Sequence, residues 1–318
     1  MKIALIGQPN SGKSTLFNAV AGYRSLTSNF AGTTVEYTYG RAEIAGRTVG
    51  LVDLPGLYSL NPASPAETCS REYLLNGEWD VLVNVLDASQ LARSSELTLE
   101  LRELEAPMVV CLNMMDEAAR KGIKIDVPLL SRELGVPVME AIAARGQGIV
   151  ETFRAALVAG GKTPIGPPVF PYPPEVEAAV NRLANALADQ ESENTARAVT
   201  AARVAHPSYL TASTTAAVVE TVAAERTANP AASPRFMAVQ LLQTDPHRLT
   251  ALGEFTAAAV RNASEDLWRW TGQHADMAIS SARHAACLNL FERVARVSRP
   301  QRDWREHADR WLMHPFWG

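Results

Sequence analysis

Cysteine is scarce in this sequence. Cys69, Cys111 and Cys287 are odd in number and far apart, which excludes a disulfide framework or a cysteine metal knuckle and fits a reducing compartment. His206, His247, His274, His284, His307 and His314 are scattered without ligand spacing, so each reads as structural or solvated. Neither sign of charge dominates: 30 Lys and Arg against 34 Asp and Glu leave a net −4, which argues against a surface that coats nucleic acid. No run reaches about 18 uninterrupted apolar residues, so no bilayer span is expected. A strand that begins at Lys2 leaves no room for a signal peptide ahead of the first motif. What the chain does have is 318 residues at 47% hydrophobic content, enough for a full core and, by length, for two domains.

The rest is organised around the start. An apolar run over residues 1–6 leads without a break into Gly7-Gln8-Pro9-Asn10-Ser11-Gly12-Lys13-Ser14-Thr15. This is G-x-x-x-x-G-K-S, the phosphate-binding loop, with a buried strand before it and an amphipathic helix after it, where Leu16, Phe17 and Val20 form the apolar stripe. The spacing has a chemical reason. Gly7 and Gly12 let the backbone curl so that successive N–H groups, those of Ser11 and Thr15 among them, face a phosphate at a helix N-terminus. Lys13 is placed for the β- and γ-phosphate oxygens, and the Ser14 hydroxyl for Mg²⁺.

Three further motifs follow in order along the chain. Gly22 ends the first helical pattern, and residues 23–32 read as a loop running into Thr33-Thr34. Either threonine has the chemistry to ligate Mg²⁺ and sense a γ-phosphate. Strands over 38–44 and 48–52 lead into Asp53-Leu54-Pro55-Gly56, which suits second-shell Mg²⁺ binding by Asp53 and γ-phosphate sensing by the Gly56 N–H. Leu57 stands where Ras-like switches carry a water-orienting glutamine. Slow intrinsic hydrolysis, or water positioned by other groups, is therefore expected, and Leu57 also reads as a packing residue. After a mobile loop and short helix over 61–75, a strand over 80–87 and a helical repeat over 91–104, a strand at 107–112 ends in Asn113-Met114-Met115-Asp116. The Asp116 carboxylate can accept from guanine N1–H and N2–H₂, a donor pair adenine lacks, and Asn113 would brace the site. A last strand, 136–142, leads to Ala143-Ala144-Arg145-Gly146-Gln147-Gly148, where Ala143 and Ala144 are the candidates to offer a backbone N–H to guanine O6. A helix over 149–158 closes the β/α array.

Together, Asn-Phe-Ala-Gly-Thr-Thr-Val-Glu, Asp-Leu-Pro-Gly-Leu-Tyr-Ser-Leu, Val-Leu-Asp-Ala-Ser and Leu-Asn-Met-Met-Asp-Glu-Ala resemble the G domain of the ferrous iron transporter B (FeoB) family. The resemblance covers residues 1 to about 160. It implies a Ras-like P-loop GTPase domain with a mostly parallel sheet, followed by a smaller all-α domain that acts on nucleotide dissociation. It makes Thr34 the switch I threonine and Asn10 a ligand for K⁺, a cation that stands in for an arginine finger and offsets the leucine at 57. It also implies fast GDP release, linked to the base-contacting loop over 143–148. The expected cofactors are GTP or GDP, Mg²⁺ and K⁺.

The second half changes texture. A Gly- and Pro-rich linker over 161–174 precedes helical, alanine-rich stretches at 175–187, 194–204, 211–227 and 237–242 and a longer one at 249–271, with no phosphate, metal or nucleophile signature. The helical regulatory domain is assigned to 175–290. Residues 291–318 form a basic, amphipathic segment with Trp304 and Trp311 on one face, ending in His314-Pro315-Phe316-Trp317-Gly318. In the resembling family a His-Pro-x-x-Gly marks entry into the first transmembrane helix. The chain then reads as the part of a transporter on the cytoplasmic face of a bacterial inner membrane, preceding a permease domain for Fe²⁺. It would contact guanine nucleotide and no nucleic acid, with room for a homo-oligomer. A soluble ribosome- or tRNA-associated GTPase shares the loop chemistry but lacks a basic RNA-binding module here, and a GTP-switched docking module remains the other alternative.

Overall fold

The protein is described from a computed structural model, which covers residues 1–21, 26–29, 36–61, 64–76, 79–161, 172–205, 233–244 and 254–298. A seven-stranded sheet is built from β1 (Lys2–Gly7), β2 (Leu26–Asn29), β3 (Glu36–Ile44), β4 (Arg47–Asp53), β5 (Val81–Asp87), β6 (Met108–Asn113) and β8 (Val138–Glu140). Its order is β2-β3-β4-β1-β5-β6-β8, parallel from β4 to β8, with β2 and β3 antiparallel at one edge. The central strands are apolar runs because both sheet faces are covered. Ile3, Ala4, Leu5 and Ile6 are fully buried, and so is most of β6.

Helices α1 (Lys13–Ala21) and α6 (Ile149–Ala159) cover one face, where Leu16, Phe17, Phe153 and Ala156 pack on Ile3, Leu5, Val83 and Val109. The other face packs under α2 (Pro65–Asn76), α3 (Leu91–Arg102), α4 (Met115–Arg120) and α5 (Val127–Leu134). Helix α5 shows how local sequence sets an element. Asp126 accepts the Leu129 N–H at 2.9 Å, a proline sits in the first turn, and Gly135 closes the helix in the left-handed region.

Past the sheet domain come α7 (Pro174–Ala205), α8 (Pro234–Leu242), α9 (Glu254–Thr271) and α10 (Ala275–Val294). They share a core of Val176, Val180, Leu183, Val239, Val260, Leu267 and Ile279. Helix α10 also belongs to the sheet domain: Cys287, Leu290 and Val294 lie in the same apolar cluster as Leu97, Leu101 and Leu130. The chain then forms β9 (Ala295–Val297), antiparallel to β7 (Ile123–Ile125) of the first domain. Among the described residues no helix is long and apolar enough to cross a membrane.

Several elements differ from the sequence reading. Within 23–32, read as a loop, residues 26–29 are a strand, because their backbone extends the sheet edge on β3. The two helices expected at 175–187 and 194–204 are one helix, since the residues between them contain neither Gly nor Pro to break it. Helix α10 and the β7–β9 pair were not anticipated. The segment from 291 onward, expected to be amphipathic and basic, opens with the last turn of α10 and with β9. Its remainder, with Trp304, Trp311, His307 and residues 314–318, lies outside the described residues, as do the stretch expected to be helical at 211–227, His206 and His247.

Candidate nucleotide site

Four loops converge at the carboxyl ends of β1, β4, β6 and β8, on either side of the point where the chain order reverses across β1. Register brings their residues level: Leu5 pairs with Asp53 and Asp87 with Asn113.

The loop after β1 turns through two left-handed residues, Asn10 at φ 66° and Gly12 at φ 90°. Gly12 is also sterically required, because a Cβ there would overlap the Asn113 amide nitrogen. Lys13 is buried and lies 3.1 Å from Asp53 Oδ1, while the Ser14 hydroxyl donates to Asp53 Oδ2 at 2.9 Å. The Ser11 hydroxyl is buried and has no hydrogen-bond partner among the described residues. A lysine, a hydroxyl and a carboxylate thus meet at the first turn of a helix beside an unsatisfied hydroxyl. That donor set fits a phosphate chain with a hard divalent cation. Asn10 is exposed at the loop tip.

After Asp53 the chain runs beside the first loop. Leu54 N–H donates to Leu5 O and Leu57 N–H to Gly7 O, both at 3.2 Å. At Gly56 an added Cβ would lie 2.9 Å from Pro9 N, so this segment touches the loop backbone to backbone. The Leu57 side chain is fully buried in the core between Leu54 and Leu60, which makes it a packing residue.

Asn113 joins two loops. Its Nδ2 donates to Ser11 O and its Oδ1 accepts from Ala143 N, each at 2.9 Å, in a side chain 3% exposed. Met114 takes a left-handed φ of 61° and sets Asp116 on α4. Asp116 Oδ1 accepts the Glu117 N–H at 3.1 Å, and Oδ2 lies 3.3 Å from Arg145 Nη2. Ala143 and Ala144 form the short turn that carries Arg145.

The structure thus brings together Gly7, Ser11, Gly12, Lys13, Ser14, Asp53, Gly56, Asn113 and Ala143, with Asp116 on the helix that follows Asn113. Thr15 is exposed on the first turn of α1 and Ala144 stands next to Ala143. Thr33 and Thr34 lie outside the described residues. Among the described histidines, His284 pairs with Glu96 at 2.6 Å and His274 packs at a tilt against Trp268 with ring centroids 4.8 Å apart. No group of three or more metal-ligating side chains occurs among the described residues.

Sequence reasoning missed the groups that grip residues 58–60. Glu100 on α3 takes the Leu60 N–H and, at 2.9 Å, the Ser59 hydroxyl, and it faces Arg283 of α10 at 2.7 Å. Arg283 in turn donates to the Tyr172 hydroxyl at 3.2 Å, which donates to Glu103. Burial pushes the Glu103 carboxyl above its ordinary range, against the pull of Arg283 and Tyr172. The signal was present: Glu100 sits in register with Leu97, Leu101 and Leu104, a carboxylate on the buried side of a helix.

Comparison with known proteins follows this geometry. The family profile described as Ferrous iron transport protein B matches residues 1–156. The Fe(2+) transporter FeoB of Salmonella typhimurium is 46% identical over 161 residues, 49% of this chain and 21% of that protein; the Escherichia coli K12 transporter gives the same figures. The aligned segment therefore spans about a fifth of the transporters' length. Among solved structures, an S. thermophilus NFeoB E67A mutant bound to GDP superposes with TM-score 0.74 at 28% identity, covering 93% of this chain and all of the other. The cytosolic domain of L. pneumophila FeoB gives 0.71 at 27% over the same shares. The apo cytosolic domain of the T. maritima FeoB iron transporter gives 0.68 at 26%, covering 93% of this chain and 99% of the other.

Proposed function

Since this chain, through residues 1–156, belongs to the ferrous iron transport protein B family, we propose that it binds and hydrolyses GTP and so regulates Fe²⁺ passage through a membrane domain of the same transporter. The observation that carries this reading is the convergence of Lys13 and Ser14 on Asp53 at the mouth of the phosphate loop. The relatives solved with GDP support a guanine nucleotide as the ligand.

In this mechanism Lys13 leaves Asp53 for the β- and γ-phosphate oxygens, and the backbone N–H groups from Ser11 to Thr15 hold the β-phosphate. Ser14, Asp53 and Thr34 would hold Mg²⁺, and Asn10 would hold K⁺; these cations supply the positive charge that offsets negative charge developing on the transferred phosphoryl group. The Gly56 N–H senses the γ-phosphate. Asp116 reads the guanine edge, Asn113 ties that reader to the phosphate loop, and Ala143 and Ala144 present backbone N–H groups to the base. Leu57 cannot orient water, so turnover without a cation is slow. Nucleotide state moves the segment after Asp53, and the helical domain receives that movement through Glu100 and Arg283. Exchanging the helical domain while following GDP affinity tests the relay, and unchanged affinity would count against it.

A docking module in which hydrolysis is incidental is the second reading, favoured by the burial of Leu57. GTP turnover in KCl against NaCl at equal ionic strength, with Asn10→Ala and Lys13→Ala alongside, separates the two. Stimulation by K⁺ that disappears in Asn10→Ala supports the cation-assisted GTPase. Equal, negligible turnover in both salts with GTP still bound supports the docking module, and no binding in any form sinks both.

A further inference from the structure

Arg145 approaches the oxygen of the base-reading carboxylate that the backbone leaves open, with Nη2 at 3.3 Å from Asp116 Oδ2. Asp116 divides its two oxygens between the Glu117 N–H and Arg145 Nη2. A guanidinium presents a planar edge of adjacent N–H donors. The edge of guanine that such a carboxylate selects, N1–H beside N2–H₂, has the same donor pattern.

The loop that carries Arg145 is fixed. Ile142 and Gln147 exchange backbone hydrogen bonds at 3.0 and 3.2 Å, Arg145 N–H donates to Ile142 O at 2.8 Å, and Asn113 holds Ala143. Gly148, at φ 76°, admits no Cβ, which would overlap the Glu140 carbonyl. The Arg145 side chain, in contrast, is 64% exposed and free to swing into solvent. The loop need not open for the contact to break; only the side chain rotates.

We propose that Arg145 acts as a guanine surrogate that occupies Asp116 in the nucleotide-free protein and must be displaced by the incoming base. This rests on the reading of Asp116 as the guanine partner and adds a competitor that lowers nucleotide affinity. An exposed ion pair is weak, so the handicap is small, roughly two- to fivefold in dissociation constant. It shrinks as salt screens the pair.

The test is calorimetric titration of GDP and xanthosine diphosphate into four proteins: the parent chain, Arg145→Gln, Asp116→Asn and the double variant. An amide at 116 favours xanthine, whose 2-oxo group accepts where guanine donates. Arg145→Gln is expected to tighten GDP about two- to fivefold at about 50 mM salt and to leave xanthosine diphosphate unchanged in the Asp116→Asn background. Weaker or unaltered GDP binding, or the same shift in both backgrounds, overturns the proposal, because attraction of Arg145 to the phosphates would act alike on both. If Asp116→Asn fails to move preference from guanine to xanthine, the guanine reading falls and the surrogate falls with it. That result is recognisable without reference to Arg145.

Discussion

Glu100 of α3 and Arg283 of α10 face each other at 2.7 Å, with 4% and 5% of their surfaces exposed, and the same carboxylate holds Ser59 and Leu60. A residue 183 positions along the chain thus neutralises the group that grips the segment after Asp53. The helical part is bound to this segment by charge as well as by the apolar packing of Cys287, Leu290 and Val294.

Removing one partner strands the other in low dielectric. Arg283→Met is expected to cost about 3–5 kcal/mol in urea denaturation, because Glu100 is left buried without its cation. Adding Glu100→Gln to Arg283→Met should recover part of that loss. A double variant no better than the single would refute the charge argument.

Stability should also depend on pH through Glu103. Its carboxyl is raised above the ordinary range, chiefly by burial, so the folded state holds the proton to higher pH than the unfolded chain does. This contribution is fully present below the unfolded carboxyl pKa of about 4.3 and is lost as pH rises through the folded value. Glu103→Gln does not titrate. Denaturation midpoints followed upward from about pH 4.3 should fall less steeply in the variant, and parallel profiles would remove the assignment.

Asn113 serves two loops at once, so Asn113→Ala should act on both. The loss leaves the Ala143 N–H and the Ser11 carbonyl without a partner, at about 1–3 kcal/mol for each buried group left unsatisfied. GDP affinity should fall together with thermal stability. A variant of native stability and native affinity would show that water replaces the amide.

Leu57→Gln restores the residue type found in Ras-like switches but not its position. The side chain is fully buried in the apolar core, so an amide there costs about 1–3 kcal/mol and gains no access to a phosphate-bound water. GTP turnover should not rise. A clear increase would mean that residue 57 leaves the core in the active state.

The phosphate loop was legible because its chemistry is local: Gly7 to Ser14 lie within one turn and its flanks, and every atom of the cradle comes from consecutive residues. The same holds for Asp53 to Gly56 and for Asn113 to Asp116, each at the end of an apolar strand. Strand and helix type followed from periodicity in most long elements, with the 20-residue α10 as the exception. The short pieces did not: 26–29 became a strand only because β3 offered an open edge, and β7 only because β9 returned to pair with it.

From sequence alone, then, come the order of the loops, the sheet that presents them and the family they resemble, since local spacing and burial pattern are properties of neighbouring residues. Tertiary structure alone decided that Asn113 bridges two loops, that Arg145 lies beside Asp116 and that Arg283 meets Glu100. Each of these is a pairing between distant segments, set by which surfaces are forced together when the sheet and the helices bury their apolar faces. A buried charge or amide must find its partner among whatever that packing brings near.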